Sequence, residues 1–433
     1  MKLISNPSKD LWSKILKRPT IDKLDLEAIV QGVFDDVNSN GDSALINYTE
    51  KFDKVLLSDI SVSAPEIAEA SSLVSEELKE AIQLAKKNIE VFHASQQLDK
   101  KVIETAPGVE CWQEARGIEK VGIYIPGGSA PLFSTVLMLA VPAKLAGCKE
   151  IVLCSPPNKE GKLHPAILYA ANLCGVTKIF KVGGIQAIGA MTFGTESVPN
   201  VYKIFGPGNQ YVTAAKQMAL SYGVAIDMPA GPSELLVLAD DSANAAFVAS
   251  DLLSQAEHGA DSQVICVSNS ESFLDEVSKE VAVQLALLPR KDIAAKAMEN
   301  SKSILLKDKR DIIDLINEYG PEHFILAVEN ESFYLENIIN AGSVFIGNYT
   351  PESAGDYASG TNHTLPTDGF SKSYSGVNLD AFVKKITFQR ISKSGIQTIG
   401  NAIELMAEAE GLQAHKNAVT LRLNQLKEGE DDV

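Results

Sequence analysis

The sequence predicts an α/β protein with two doubly wound, incomplete Rossmann-like parallel sheets and small helical extensions at both termini. From Val121 onward, short apolar segments rich in β-branched residues alternate with longer helical ones. This alternation is typical of parallel strands buried on both faces beneath crossover helices. The chain has 433 residues. Because single cores stop growing at roughly 250 to 300 residues, we also expect more than one domain.

The alternation falls into two series. The first begins at Val121 and consists of VGIYIP, LFSTVLMLAVPAKLAG, EIVLCSPP, HPAILYAANLCG, TKIFKVGG, IQAIGAMTFG, VYKIFGPG, NQYVTAAKQMALSYG and VAIDM. The second begins at Glu234 and consists of ELLVLAD, a helix near 244–258, SQVICVSN, a helix near 271–288, SILLK, HFILAV and SVFIGN. Each series predicts one sheet with its covering helices.

The segment before Val121 is mainly amphipathic helix, and we expect it to complete the second series from the N-terminal side. The predicted organisation has four parts: an extension (1–20), a discontinuous α/β domain (21–120 plus 234–375), a continuous α/β domain (121–233) and a C-terminal helical segment (376–433).

Composition limits the partners and the compartment. The formal charge, 39 − 56 = −17, repels nucleic acid phosphates and anionic lipid, so a small-molecule partner is expected rather than nucleic acid or a membrane. The five cysteines are odd in number and include no C-x-x-C pair, which argues against a disulfide framework and a thiolate zinc site. The N-terminal segment lacks the apolar core of a signal peptide. These features predict a reducing, cytoplasmic location.

Four of the six histidines lie in short polar segments of the C-terminal half: His258 in SQAEH, His323 in PEH, His363 in DYASGTNH and His415 in EGLQAH. If the fold gathers these segments, they supply imidazole and oxygen ligands for a divalent metal, and a Glu-His pair is left for proton transfer.

Each segment also allows a plainer interpretation. His258 can simply sit at the negative end of a helix dipole. Glu322 and His323 can be a loop pair without a role, and Asp356 with His363 can belong to an ordinary tight polar loop. Glu410 and His415 can lie on a solvated acidic face. The residues alone leave these alternatives open.

Two glycine-rich turns, IPGGSAP (125–131) and FGPGNQ (205–210), follow strands and precede helices, where free backbone N–H groups can bind a phosphate. Neither a G-x-G-x-x-G fingerprint nor a P-loop is present, so these turns do not by themselves name a dinucleotide. The apolar neighbours of Cys148, Cys154 and Cys174 favour buried, structural thiols over nucleophiles.

Seven motifs in order carry a resemblance: VGIYIPGGSAPLFSTVLM, VGGIQAIGAM, FGPGNQYVTAAK, DMPAGPSE, LLSQAEHG, GPEH and AEGLQAHKNAVTLR. With these motifs the chain resembles the histidinol dehydrogenase family over nearly its whole length. The resemblance implies NAD-dependent, four-electron oxidation of L-histidinol to L-histidine through bound L-histidinaldehyde, the last step of histidine biosynthesis.

The resemblance also implies site residues. One zinc ion per subunit would be bound by Gln255, His258, Asp356 and His415, and Glu322 and His323 would form the acid-base pair. NAD would lie near Tyr124, Gln186 and Asn209. Histidinol would contact Ser233, Gln255, His258, His323, Asp356, Glu410 and His415. The family forms homodimers with shared active sites, so Glu410 and His415 would complete the neighbour's site. No role is assigned to His363.

Three alternatives are weighed. A dehydrogenase of this architecture could act on another amino alcohol or polyol, because pocket residues rather than the scaffold determine specificity. A zinc hydrolase could use Glu322 as its general base, although the H-E-x-x-H signature is absent. A ligand-binding α/β protein would bind the substrate without reducing a cofactor.

Overall fold

The computed structural model describes residues 1–19, 24–127, 131–229 and 231–428. The chain divides into two compact units, Met1–Gln96 with Ile118–Phe382, and Gln97–Gly117 with Val383–Val433. Within the described ranges, none of the helices combines the length and the apolar composition that crossing a membrane requires.

A five-stranded parallel sheet occupies the middle of the chain. Its strands are β4 (Lys120–Tyr124), β5 (Glu150–Cys154), β6 (Lys178–Phe180), β7 (Lys203–Phe205) and β8 (Ala225–Ile226). The connecting helices are α5 (Phe133–Leu145), α6 (Pro165–Cys174), α7 (Gly184–Phe193) and α8 (Gln210–Ala219). The strand order β6-β5-β4-β7-β8 puts the first strand in the centre, so the chain winds outward in both directions.

A six-stranded parallel sheet follows. Its strands are β1 (Lys2–Ser5), β9 (Glu234–Ala239), β10 (Gln263–Ser268), β11 (Lys302–Leu305), β12 (His323–Ala327) and β13 (Ser343–Ile346). The helices of this region are α1 (Trp12–Ile15), α9 (Ala245–Ala256), α10 (Glu271–Leu285), α11 (Lys291–Glu299), α12 (Lys309–Tyr319), α13 (Ser332–Asn337) and α14 (Glu352–Tyr357). The order β1-β11-β10-β9-β12-β13 repeats the winding of the first sheet and adds β1 at one edge.

The predicted fold class is confirmed. Strands β9, β10 and β12 are buried along their whole length, because helices cover both faces of the sheet. The N-terminal extension differs from the prediction in one respect, since residues 2–5 form a strand that pairs with β11.

Three longer helices lie between α1 and β4 in the described chain: α2 (Leu24–Asp53), α3 (Ala64–Leu73) and α4 (Glu76–Ala94). They pack on the helices of the five-stranded sheet, α2 on α7, α3 on α6 and α4 on α5. Their amphipathic pattern was predicted to complete the other sheet, and this packing corrects that prediction. An amphipathic pattern identifies a buried helix face but not the surface that buries it. The domain boundaries themselves stay a prediction.

The second unit contains a three-stranded antiparallel sheet in the order β14-β3-β2. Its strands are β2 (Val102–Ala106), β3 (Val109–Gly117) and β14 (Val383–Ile391), and they are followed by α15 (Lys393–Ala409) and α16 (Gln413–Glu428). Residues 376–433 were predicted to be helical, and β14 corrects that prediction. Nine consecutive pairs with β3 hold this segment extended.

Candidate functional site

Glu322 and His323 lie at the junction between α12 and β12, with 6% and 4% of their surfaces exposed. The first residue of β9 holds both side chains through its main chain. The Glu234 N–H donates to Glu322 Oε2 at 2.8 Å, and the Glu234 carbonyl lies 3.1 Å from His323 Nδ1. Because β9 and β12 are paired strands, the sheet itself fixes the position of this acid-histidine pair.

The contact with the Glu234 carbonyl determines which imidazole nitrogen is available. A carbonyl only accepts, so Nδ1 carries the hydrogen, and Nε2 of the neutral ring is left as an acceptor. His323 Nε2 is buried, has no hydrogen-bond partner among the described residues, and lies 4.0 Å from Asp356 Oδ1. Burial lowers the pKa of His323 to about 3 and raises the pKa of Glu322 well above its usual value. The ring is therefore neutral, with a lone pair on Nε2.

A second group of titratable side chains comes from the end of α9 and from α14. Ligand atoms of His258, Glu352 and Asp356 lie within 4.8 Å of one another. His258 is exposed and Glu352 is buried. Burial raises the pKa of Asp356 to about 7, and burial together with the charges of Asp356 and Glu322 raises the pKa of Glu352 well above its usual value. The cluster concentrates acidic groups where water does not screen them.

Gln255 and His363 support this cluster. Gln255 lies one turn before His258 and is buried, and its amide nitrogen donates to the Glu352 carboxylate while its oxygen accepts from the Glu234 N–H at 3.1 Å. His363 Nδ1 lies 3.0 Å from the Asp356 carbonyl, and its Nε2 lies 3.1 Å from the Thr135 hydroxyl on α5. His363 therefore links the end of α14 to α5.

The donor set suits zinc. One imidazole nitrogen and two carboxylate oxygens are ligand types that zinc binds, and a divalent cation would offset the repulsion between the carboxylates. His258 and Asp356 were predicted as ligands. Glu352 was not, although it precedes Asp356 by four residues and such a spacing places two side chains on one helix face. That spacing was the signal that could have identified it.

The residues predicted to bind NAD lie at the carboxyl ends of the five-stranded sheet. Tyr124 ends β4, and its hydroxyl accepts from the Gly184 N–H at 3.0 Å. Gln186 is buried in the first turn of α7. Asn209 caps α8 by accepting from two backbone N–H groups. The carboxyl edge and the two helix N-termini suit an anionic, phosphate-bearing ligand.

The remaining predicted residues are distributed more widely. Ser233 immediately precedes β9, so it adjoins the main-chain groups that hold Glu322 and His323. Glu410 and His415 belong to the second unit, where both are exposed at the junction of α15 and α16. Residues 128–130 of the first glycine-rich turn lie outside the described residues.

The thiols take no part in the site. All five cysteines are free, and burial raises the pKa of Cys148 to about 11 and that of Cys154, Cys174 and Cys266 to about 12. The buried, structural interpretation of Cys148, Cys154 and Cys174 is confirmed.

Comparisons with known proteins identify relatives over nearly the whole chain. The family model described as Histidinol dehydrogenase matches residues 16–423. A curated histidinol dehydrogenase of Bacteroides thetaiotaomicron is 62% identical over 99% of this chain and 100% of its own length. That of Escherichia coli K12 is 53% identical over 96% and 95%. The crystal structure of histidinol dehydrogenase from Elizabethkingia anophelis aligns with a TM-score of 0.97 at 60% identity, covering 99% of each chain.

The two parallel doubly wound sheets make the chain an α/β protein, and its full-length similarity to curated dehydrogenases makes it an oxidoreductase. The match extends over nearly the full length of the chain and of its relatives. The chain belongs to the histidinol dehydrogenase family.

Proposed function

We propose that the chain oxidises L-histidinol to L-histidine with two molecules of NAD and one zinc ion per subunit, as the last step of histidine biosynthesis. The observation that carries this proposal is the buried, unpartnered His323 Nε2 beside Asp356. A neutral imidazole nitrogen in that position is suited to accept a proton from an alcohol bound at the neighbouring cluster.

His258 and Asp356 would hold the zinc ion together with Gln255 and His415, and Glu352 lies among these groups. Bound zinc would orient the imidazole and amine of the substrate, and bound NAD would accept a hydride in each of the two oxidations. Ser233 and Glu410 would complete the substrate contacts. Tyr124, Gln186 and Asn209 would hold NAD at the carboxyl edge of the five-stranded sheet.

The two acid-base residues would act in sequence. In the first oxidation, His323 Nε2 accepts the hydroxyl proton as the hydride leaves the carbinol carbon. Glu322, as the carboxylate, then removes a proton from the water that adds to the aldehyde. Before the second oxidation, His323 gives its first proton to solvent. It then deprotonates the hydrate as the second hydride leaves, which the second bound NAD would accept, and the acid formed ionises to the carboxylate product.

Glu322→Gln tests this division of labour. If Glu322 activates water, oxidation of supplied histidinaldehyde should fall by about 10²-fold, while the first oxidation of histidinol falls much less. Single-turnover measurements of NADH formation from alcohol and from aldehyde separate the two steps. Equal losses in both would reject Glu322 as the water activator.

Reaction stoichiometry tests the overall proposal. Purified protein incubated with histidinol and excess NAD should form about two NADH for each histidinol consumed. Alcohols without an imidazole should react poorly, which would set the enzyme apart from a dehydrogenase of another amino alcohol or polyol. Turnover of an ester or amide without NAD would instead favour the hydrolase, and binding without any NADH would favour a binding protein.

We also propose a homodimer in which each subunit contributes Glu410 and His415 to its partner's site. The second unit carries both residues, and several apolar side chains of that unit are exposed: Val102, Ile103, Ile386, Leu405, Met406, Leu412 and Leu421. An exposed apolar surface of this kind is typical of protein-protein interfaces.

The free cysteines agree with the predicted reducing, cytoplasmic location.

Subunit mixing tests the exchange. His258→Ala and His415→Ala chains should each be inactive alone, but a mixed dimer regains one intact site if the sites are shared. A statistical mixture would then recover about a quarter of the wild-type activity. Mixtures that stay inactive although mixed dimers form would reject the exchange.

A further inference from the structure

Arg18, close to the N-terminus, contacts both segments that hold the acid-histidine pair. Its Nε lies 2.5 Å from Glu234 Oε1 and its Nη2 lies 2.8 Å from Glu234 Oε2, so the guanidinium binds the carboxylate through two hydrogen bonds. The same Nη2 donates to the Tyr319 carbonyl at 2.8 Å and approaches the Gly320 carbonyl at 3.4 Å. One side chain therefore joins the start of β9 to the loop that leads into Glu322.

The Glu234 side chain is held from a second direction. The Asp368 N–H donates to Glu234 Oε1 at 2.6 Å, and only 3% of the Glu234 side chain is exposed. The Arg18 side chain is 16% exposed and lies 4.0 Å from the centre of the Tyr319 ring. A bidentate arginine pair of this kind restricts both partners more than a surface ion pair does.

The main chain of Glu234 carries this restraint to the pair. Its N–H donates to Glu322 Oε2, and its carbonyl binds His323 Nδ1. The N–H and the carbonyl belong to the two peptide units that flank the Glu234 α-carbon, so both hydrogen bonds depend on the position of this residue. A shift at the first residue of β9 would therefore move the carboxylate and the imidazole together.

We propose that Arg18 and Glu234 are positioning residues for the reaction, and that they act by holding Glu322 and His323 in register across β9 and β12. This inference rests on the proposed roles of Glu322 and His323. The two residues need not touch the substrate, so their loss should lower kcat more than it raises KM. Misplacement of a reacting group by about 1 Å can cost roughly 10²-fold in rate.

Arg18→Lys is the variant of choice. Lysine keeps a positive charge beside Glu234, which avoids an unpaired buried carboxylate, but it cannot bind both carboxylate oxygens and the Tyr319 carbonyl together. A double variant, Arg18→Met with Glu234→Gln, removes both charges at once and provides a second test should the lysine side chain restore the contacts. Lys9→Ala is the matched control. Lys9 belongs to the same N-terminal segment as Arg18, but its ion pairs with Asp311 and Asp314 are exposed.

The measurement is kcat and KM for histidinol and NAD, with zinc content, in wild-type and His323→Asn backgrounds. Arg18→Lys and the double variant should lower kcat by about tenfold to 100-fold in the wild type, with KM and zinc content nearly unchanged. In the His323→Asn background the same changes should lower kcat by a clearly smaller factor, because only the part of the effect that acts through Glu322 remains. Lys9→Ala should change neither constant.

Two outcomes would overturn the inference. Equal losses of kcat in both backgrounds would show that Arg18 acts independently of His323, and a rise in KM with unchanged kcat would show a binding role instead. Failure of the proposed function looks different. In that case His323→Asn alone would keep its turnover, which rejects the role of His323 before Arg18 is considered.

Discussion

The two parallel sheets share one winding order, but their candidate site residues lie at opposite edges, the carboxyl edge of one sheet and the amino edge of the other. In the five-stranded sheet, Tyr124 and Asn209 lie at the carboxyl ends of the strands, where α7 and α8 begin. In the six-stranded sheet, Glu234 and His323 are the first residues of β9 and β12, so the candidate catalytic groups lie at the amino ends. One topology therefore offers two chemically different edges.

Helix direction explains the difference. At the carboxyl edge, helix N-termini present free N–H groups and the positive end of the dipole, which favours phosphate. At the amino edge, helices end, and their negative ends favour a cation. Helix α9 ends at Ala256, two residues before His258. The topology therefore presents two edges, one suited to an anion and the other suited to a cation.

The largest effect should come from the metal-ligating groups of the amino edge. His258→Ala or Asp356→Ala should lose zinc and at least about 10²-fold of turnover together, because each removes a ligand. Metal analysis of purified protein, followed by a histidinol assay, measures both. His164→Ala is the control. The His164 side chain caps α6, so this variant protein should keep its zinc. Normal zinc content in the two cluster variants would contradict the assignment.

His323→Asn should separate catalysis from metal binding. We expect kcat to fall by about 10² to 10⁴-fold while zinc content and folding are kept, because asparagine lacks a basic nitrogen. Steady-state rates and metal analysis on the same preparation measure this split. Zinc loss as great as in His258→Ala would mean that His323 belongs to the metal site.

Gly206→Ala should act at the other edge. Gly206 has a φ of 129°, and an added Cβ would collide with the Tyr124 carbonyl. We expect a loss of about 1 to 3 kcal/mol in unfolding free energy and a raised KM for NAD, with little change in histidinol affinity. Denaturant melts and NAD titrations measure these. At Gly147 the φ is 82° and no atom lies within 4 Å of the added Cβ, so Gly147→Ala controls for backbone strain.

Two helix caps give the finest comparison. Asn209 caps α8 and Asn244 caps α9, and each side chain accepts from two backbone N–H groups. Either change to alanine should cost about 0.5 to 2 kcal/mol of stability. Only Asn209→Ala should also raise KM for NAD. Equal effects of both variants on that KM would reject Asn209 as a nucleotide contact.

Much of the fold could be predicted because its signals are local. Apolar strand segments, helices and glycine turns are encoded within about 5 to 15 consecutive residues. The pairing of Glu322 with His323 was visible for the same reason. Glu352 could also have been predicted as a member of the cluster, since it shares a helix face with Asp356. The roles of Arg18 and Glu234 could not be predicted from the sequence, because 216 positions separate the two residues along the chain.

The sequence alone determined the fold class, the order of the two strand series and the candidate histidines, since periodicity and motifs depend on neighbouring residues. Only the tertiary structure decided that α2 to α4 cover the five-stranded sheet, that residues 383–391 pair with β3, and that the Glu234 main chain holds the acid-histidine pair. These outcomes depend on contacts between residues far apart in the chain. An amphipathic or extended segment specifies that it must be buried or paired, and the partner surface is fixed only when the whole chain folds.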